Sequence, residues 1–220
     1  MQTAPKTTST STTELTERYI NEHINIKDCL KKGVINYSKL SRKIAKDLGL
    51  EKKTSMEAIL IACRRYALKI YKEKDSEEKV LQILKKSELE IKNKILAAII
   101  DKKIYMENLI SIEKKIRGKA DTFYAIEGTS VFTVIVSEKY LEELNTLFKH
   151  NVVKVSKNLA MITIKSGEDL ESTPNVIAYL YSLFGAHKIN IVETMSCWTD
   201  TIFVIAEKDI PKTMEFLRFC

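Results

Sequence analysis

Glycine is scarce in this chain: six in 220 residues, scattered from Gly33 to Gly185. No G-x-x-x-x-G-K-[ST] loop can be written from them, so the usual phosphate cradle of a nucleotide hydrolase is excluded. No serine sits in a G-x-S-x-G elbow. His23, His150 and His187 are isolated, and none has a metal-ligating neighbour at helical spacing. The four cysteines, Cys29, Cys63, Cys197 and Cys220, are far apart and form no C-x-x-C pair. That spacing argues against zinc and against a disulfide framework, and favours free thiols in a reducing compartment. No apolar run approaches the roughly 18 residues needed to span a bilayer. The opening MQTAPKTTSTSTT has no apolar segment of the secretory kind. The expectation is a cytoplasmic protein without membrane, metal or cofactor, and, since no catalytic constellation can be assembled, not an enzyme.

Positive charge is present, and it is uneven. The formal net charge is +7. Residues 12–87 hold 18 Lys and Arg against 11 Asp and Glu, whereas residues 88–220 hold 17 against 18. A basic N-terminal module joined to a near-neutral one implies an anionic partner for the first alone. That module reads as helical. Apolar spacing predicts helices over about 14–32, 38–48, 54–72 and 76–84. Ser38 is the expected N-cap of the second, and Thr54 with Glu57 the expected capping box of the third. Residues 1–13 are polar and read as a disordered arm.

The period changes after Ser87. ELEIKNKILAAII reads as a strand, YMENLISIEKKI as a helix, FYAIEG and VFTVIVSE as two strands, YLEELNTLF as a helix and VVKVS as a strand. The same order restarts with LAMITI, a polar loop, a helix, INIVETMS, TDTIFVIAEKD and the closing helix DIPKTMEFL. The second copy runs out of chain before a final strand, so a strand borrowed from elsewhere is expected to complete its sheet. The predicted class is α+β: a helical N-terminal domain followed by two ferredoxin-like βαββαβ domains.

The strand, the loop ending in Thr173-Pro174-Asn175-Val176, the helix, then INI and a serine-bearing strand resemble an ACT domain, and within that superfamily the regulatory tail of aspartokinases. The resemblance implies a first ACT-like domain over 87–156 and a second ACT domain over 157–220, after a basic helical domain over 14–86. It also implies a homodimer paired through these domains and a small-molecule ligand, an amino acid, held between the loop of one domain and the INI segment of a neighbouring one. The loop contacts would be Ser172, Asn175 and Val176; the facing strand would supply Asn190 and Ile191. The family usually has glycine where this chain has Asn175, but asparagine tolerates a left-handed φ. Pro174, read as an early helical residue, would leave first-turn N–H groups free for a carboxylate. The alternative is that Ser172 and Thr173 cap the helix and nothing binds. Trp198, the single tryptophan, can stack on a ligand or fill a dimer interface, and the interface is the expectation.

Residues 34–72 resemble a helix-turn-helix. Lys39, Arg42, Lys43 and Lys46 lie opposite the apolar stripe of the earlier helix; Arg65, Lys69 and Lys72 share a face of the later one; Lys52 and Lys53 occupy the turn. Such clusters neutralise phosphates, so DNA is a candidate partner. The competing reading is a helical dimerisation domain with a solvated lysine face. The chain as a whole reads as a non-catalytic regulator that senses an amino acid or similar metabolite, with DNA-binding transcriptional control as one output and population shift between dimer geometries as the mechanism. A free-standing regulatory subunit of an amino-acid biosynthetic enzyme and a ligand-free structural dimer are the alternatives.

Overall fold

A computed structural model describes residues 11–52, 54–71, 76–104 and 106–219. The chain divides into two compact units, residues 1–75 and 76–220.

The first unit is helical: α1 (Thr12–Glu22), α2 (Ile24–Lys31), α3 (Tyr37–Asp47) and α4 (Met56–Tyr71). Each helix turns an apolar stripe inward. Ile20, Leu30, Ile44, Ile59, Cys63 and Ile70 form the centre of the buried cluster. Two tyrosines stitch the helices through their hydroxyls, Tyr19 donating to Asp47 Oδ2 at 2.5 Å and Tyr66 to Asn21 Oδ1 at 2.5 Å. Burial, followed by the bond to Asp47, pushes the Tyr19 pKa up to about 12.

Several expected boundaries move. Ser11 and Glu14 form a reciprocal capping box on α1, so residues 11–13 of the expected arm belong to a helix end, while residues 1–10 lie outside the described residues. Asn36, not Ser38, caps α3, accepting from the Lys39 N–H at 3.0 Å. Ser55 takes the place expected for Thr54, accepting from the Ala58 N–H at 3.1 Å. In both cases the side chain that can reach three residues ahead into a free first-turn donor takes the role. The segment 76–86, expected in the helical domain, belongs to the second unit. Its helix α5 (Ser76–Lys85) buries Val80 and Leu84 in the core of the second unit, against Ile162, Leu180 and Phe203.

The second unit is a six-stranded antiparallel sheet with helices: β1 (Glu88–Asp101), α6 (Met106–Arg117), β2 (Phe123–Glu127), β3 (Val131–Ser137), α7 (Leu141–Phe148), β4 (Val152–Lys165), α8 (Asp169–Ser172), α9 (Val176–Ala186), β5 (Ile191–Cys197), β6 (Asp200–Ala206) and α10 (Ile210–Phe216). The strand order is β2-β3-β1-β4-β6-β5. The two central strands are 14 residues each and serve both halves. The C-terminal part of β1 pairs with β3, from Ile95↔Ser137 to Asp101↔Val131. Its N-terminal part, Glu88–Lys92, pairs only with the end of β4, from Glu88↔Lys165 to Lys92↔Met161. That stretch is tied to β4 by an ion pair between Glu90 and Lys165 at 2.5 Å. The expected division at 156/157 falls inside β4, which runs through it.

Both long strands are irregular at the same place. Lys94 and Asn158, each the seventh residue of its strand, have positive φ (56° and 55°), and the ladder shifts register between Lys92 and Ile95. Such bulges sharpen twist. One sheet face packs on helices in two clusters, around Leu96, Ile112 and Phe132 in the first half and Ile164, Leu180 and Phe203 in the second. On the other face Ile95, Ile135, Leu159, Met161, Ile202 and Val204 are buried, and every member of that cluster comes from a strand. These residues pack side by side across the adjacent strands β3, β1, β4 and β6.

Candidate functional site

The antiparallel ladder brings the β5–β6 turn beside the end of β4. Lys165 pairs with Asp200, and the Ser166 N–H donates to Thr199 O at 2.8 Å. The loop 166–175 leaves β4 at that same end. It makes the short α8, then turns into α9 at Asn175, whose φ of 72° is left-handed. Pro174 therefore lies before the helix rather than in its first turn, because the left-handed residue must come between. Ser172 ends α8 and donates back to Asp169 O. The Asn175 side chain makes no cap bond, and the first intrahelical bond is Tyr179 N–H to Asn175 O at 2.9 Å. The N–H groups of Val176, Ile177 and Ala178 are thus the donors that an α-helix leaves unpaired at its start.

A cavity of about 480 Å³ opens there. Its walls are the α9 start, Glu171, Thr173 and Pro174 on one side, and Ser196 and Trp198 on the other. Trp198 is 62% exposed. Together the walls offer anion-accepting N–H groups, one carboxylate, hydroxyls and an indole face.

Of the expected ligand residues, Asn175 and Val176 line this cavity, and Ser172 does not. Val176 does so while buried in the core beneath. Asn190 and Ile191 do not line it: they lie at the far end of β5, roughly 20 Å along the strand at about 3.3 Å per residue. Trp198, for which an interface is expected, lines the cavity, and so does Ser196, which was not among the expected ligand residues. The signal for both was the two-residue turn between strands that must pair, which places them at the loop end of the sheet.

In the helical unit, Lys39, Arg42, Lys43, Lys46, Lys52, Arg65 and Lys69 are all exposed. Lys43 pairs with Asp47 at 3.0 Å and Lys69 with Glu17 at 3.3 Å, so part of that charge is met within the chain. Lys53 and Lys72 lie outside the described residues. Among the described residues, no cluster of three or more metal-ligating side chains forms, and no helix is long and apolar enough to cross a membrane.

No protein-family model matches this chain, and no curated protein matches it. Among solved structures, it is similar to the regulatory subunit of aspartate kinase from Thermus thermophilus in its ligand-free form, at 11% identity over 60% of this chain and 94% of that one, with a TM-score of 0.48. It is also similar to the aspartate kinase of Clostridium acetobutylicum, at 13% identity over 59% of this chain, with a TM-score of 0.47; the match spans 33% of that enzyme's length. At these values the likeness gives neither a family nor a function.

Proposed function

We propose that this chain is a non-catalytic regulatory protein, and that its second unit, read as two interleaved ferredoxin-like ACT-type halves, binds a free amino acid at the start of α9. The observation that carries the reading is the uncapped, left-handed entry to α9 opening into a cavity. A carboxylate there meets three N–H groups and the positive end of the helix dipole, and Glu171 can meet an ammonium group. The loop 172–176 is the ligand loop on this reading. Asn190 and Ile191 belong to a site only if a second molecule presents them, in keeping with a homodimer.

A thermal-shift screen of the full chain against the twenty amino acids tests it. A true ligand stabilises by mass action, by about 2.7 kcal/mol at a hundredfold excess over Kd. No concentration-dependent shift with any amino acid would refute the site and favour a ligand-free dimer or a subunit that docks on an enzyme.

A second reading concerns the helical unit. Lys39, Arg42 and Lys46 are exposed at i, i+3 and i+7 on α3 and form no ion pair among the described residues, a pattern that suits a phosphate backbone. Reversing Arg42 and Lys46 to Glu should abolish any salt-sensitive DNA binding and leave amino-acid binding intact. DNA affinity that survives the reversal removes α3 from the interface.

A further inference from the structure

Another cavity, of about 470 Å³, opens where the end of α5, the start of β1 and the segment after α10 meet. None of its residues lines the cavity at the start of α9. Its floor is apolar. Leu84 and Leu217 are buried in the core of the second unit, and Leu89 and Phe219 pack half-buried against that core. Its rim is cationic. Lys85 and Arg218 both line it, both are exposed, and neither forms an ion pair among the described residues. No acidic side chain lines it among those residues. Ser87 is already committed: its hydroxyl donates to Ile83 O at 3.0 Å and meets Ser166 Oγ at 2.8 Å. With its proton on Ile83 O, that hydroxyl accepts from Ser166 and has no donor left for a ligand. An anion here is therefore met by Lys85 and Arg218.

The geometry points to a binding site for an amphipathic anion: a compact anionic head between Lys85 and Arg218, and a short hydrocarbon tail on Leu84, Leu89, Leu217 and Phe219. The volume is that of a small-molecule site. A cation is repelled by both rim residues. A small hydrophilic anion leaves the apolar side chains wet, and a neutral hydrocarbon leaves both cations without a partner. A molecule with both parts satisfies the whole lining. The site does not depend on the reading of the α9 start.

Calorimetric titration of the full chain with octanoate, 1-octanol and octylamine tests this. Octanoate should bind about tenfold more tightly than 1-octanol, the worth of two exposed ion pairs, and octylamine more weakly than either. From butanoate to hexanoate to octanoate, affinity should rise roughly two- to fourfold for each added methylene. Both rim residues are exposed, so Lys85→Glu with Arg218→Glu should fold with an unchanged Tm, and in that variant octylamine should bind more tightly than octanoate. The neutral pair Lys85→Gln with Arg218→Gln should level octanoate with 1-octanol. Equal affinity for the three head groups, or an octanoate preference that survives both pairs of substitutions, takes the anion away from this rim and overturns the site. Affinity independent of chain length removes the tail from the apolar floor and overturns it too. Absence of binding by all three octyl compounds overturns the inference as a whole.

Discussion

Trp198 stands where a tight hairpin prefers glycine. Cys197 and Asp200 are paired, so the turn has two residues, and of the two only Trp198 has a positive φ, 48°. That is the type II′ pattern, with glycine favoured first. An L-residue in left-handed backbone costs roughly 1–2 kcal/mol. Trp198→Gly and Trp198→Ala both remove the indole and whatever it buries, so they differ only in backbone. At an ordinary position glycine is the less stable of the two by about 0.5–1 kcal/mol. Here relief of strain outweighs that entropy, and Trp198→Gly should be more stable than Trp198→Ala by about 0.5–1 kcal/mol, or roughly 2–4 °C in Tm for each kcal/mol in a domain of this size. The assay is paired thermal denaturation of the two variants with amino-acid titration alongside. Both should bind the ligand more weakly, about tenfold if the indole covers an ammonium. An alanine variant as stable as the glycine variant would refute the strain argument, and undiminished affinity in both would remove the indole from the site.

Three further outcomes follow from named contacts. Asn175→Gly should retain stability and ligand affinity, because the left-handed φ suits glycine and the side chain makes no cap bond; Asn175→Ala should cost about 1 kcal/mol, and denaturant unfolding of the two would show equal losses if the φ is irrelevant. Tyr19 holds its proton to about pH 12 in the fold but only to its ordinary value of 10.0 when unfolded. The stability this contributes is fully present below pH 10 and lost as pH rises towards 12. The stability difference between wild type and Tyr19→Phe should shrink over that window, and a difference constant with pH would contradict the raised pKa. Finally, a chain of residues 157–220 alone should be unfolded by circular dichroism and a chain of 76–220 folded, since only the latter supplies Glu88–Lys92 to β4; a cooperative transition in the shorter chain would disprove the dependence.

The sequence by itself determined whatever depends on local period and backbone chemistry. The inward stripes of α3 and α4 follow from apolar spacing, and the β strands from alternating and β-branched runs. What each end of β1 pairs with was not legible. Glu88–Lys92 and Ile95–Asp101 read as one strand because alternation does not reveal that the first stretch pairs with one half of the sheet and the second with the other. Partner choice in a ladder is a long-range property, settled by which apolar faces can be buried together. Only the tertiary structure placed the bulges at Lys94 and Asn158, put Ile135 and Val204 in one core, and set Trp198 and Ser196 beside the start of α9. Those residues are some twenty positions from the loop they face, and no spacing rule along the chain connects them.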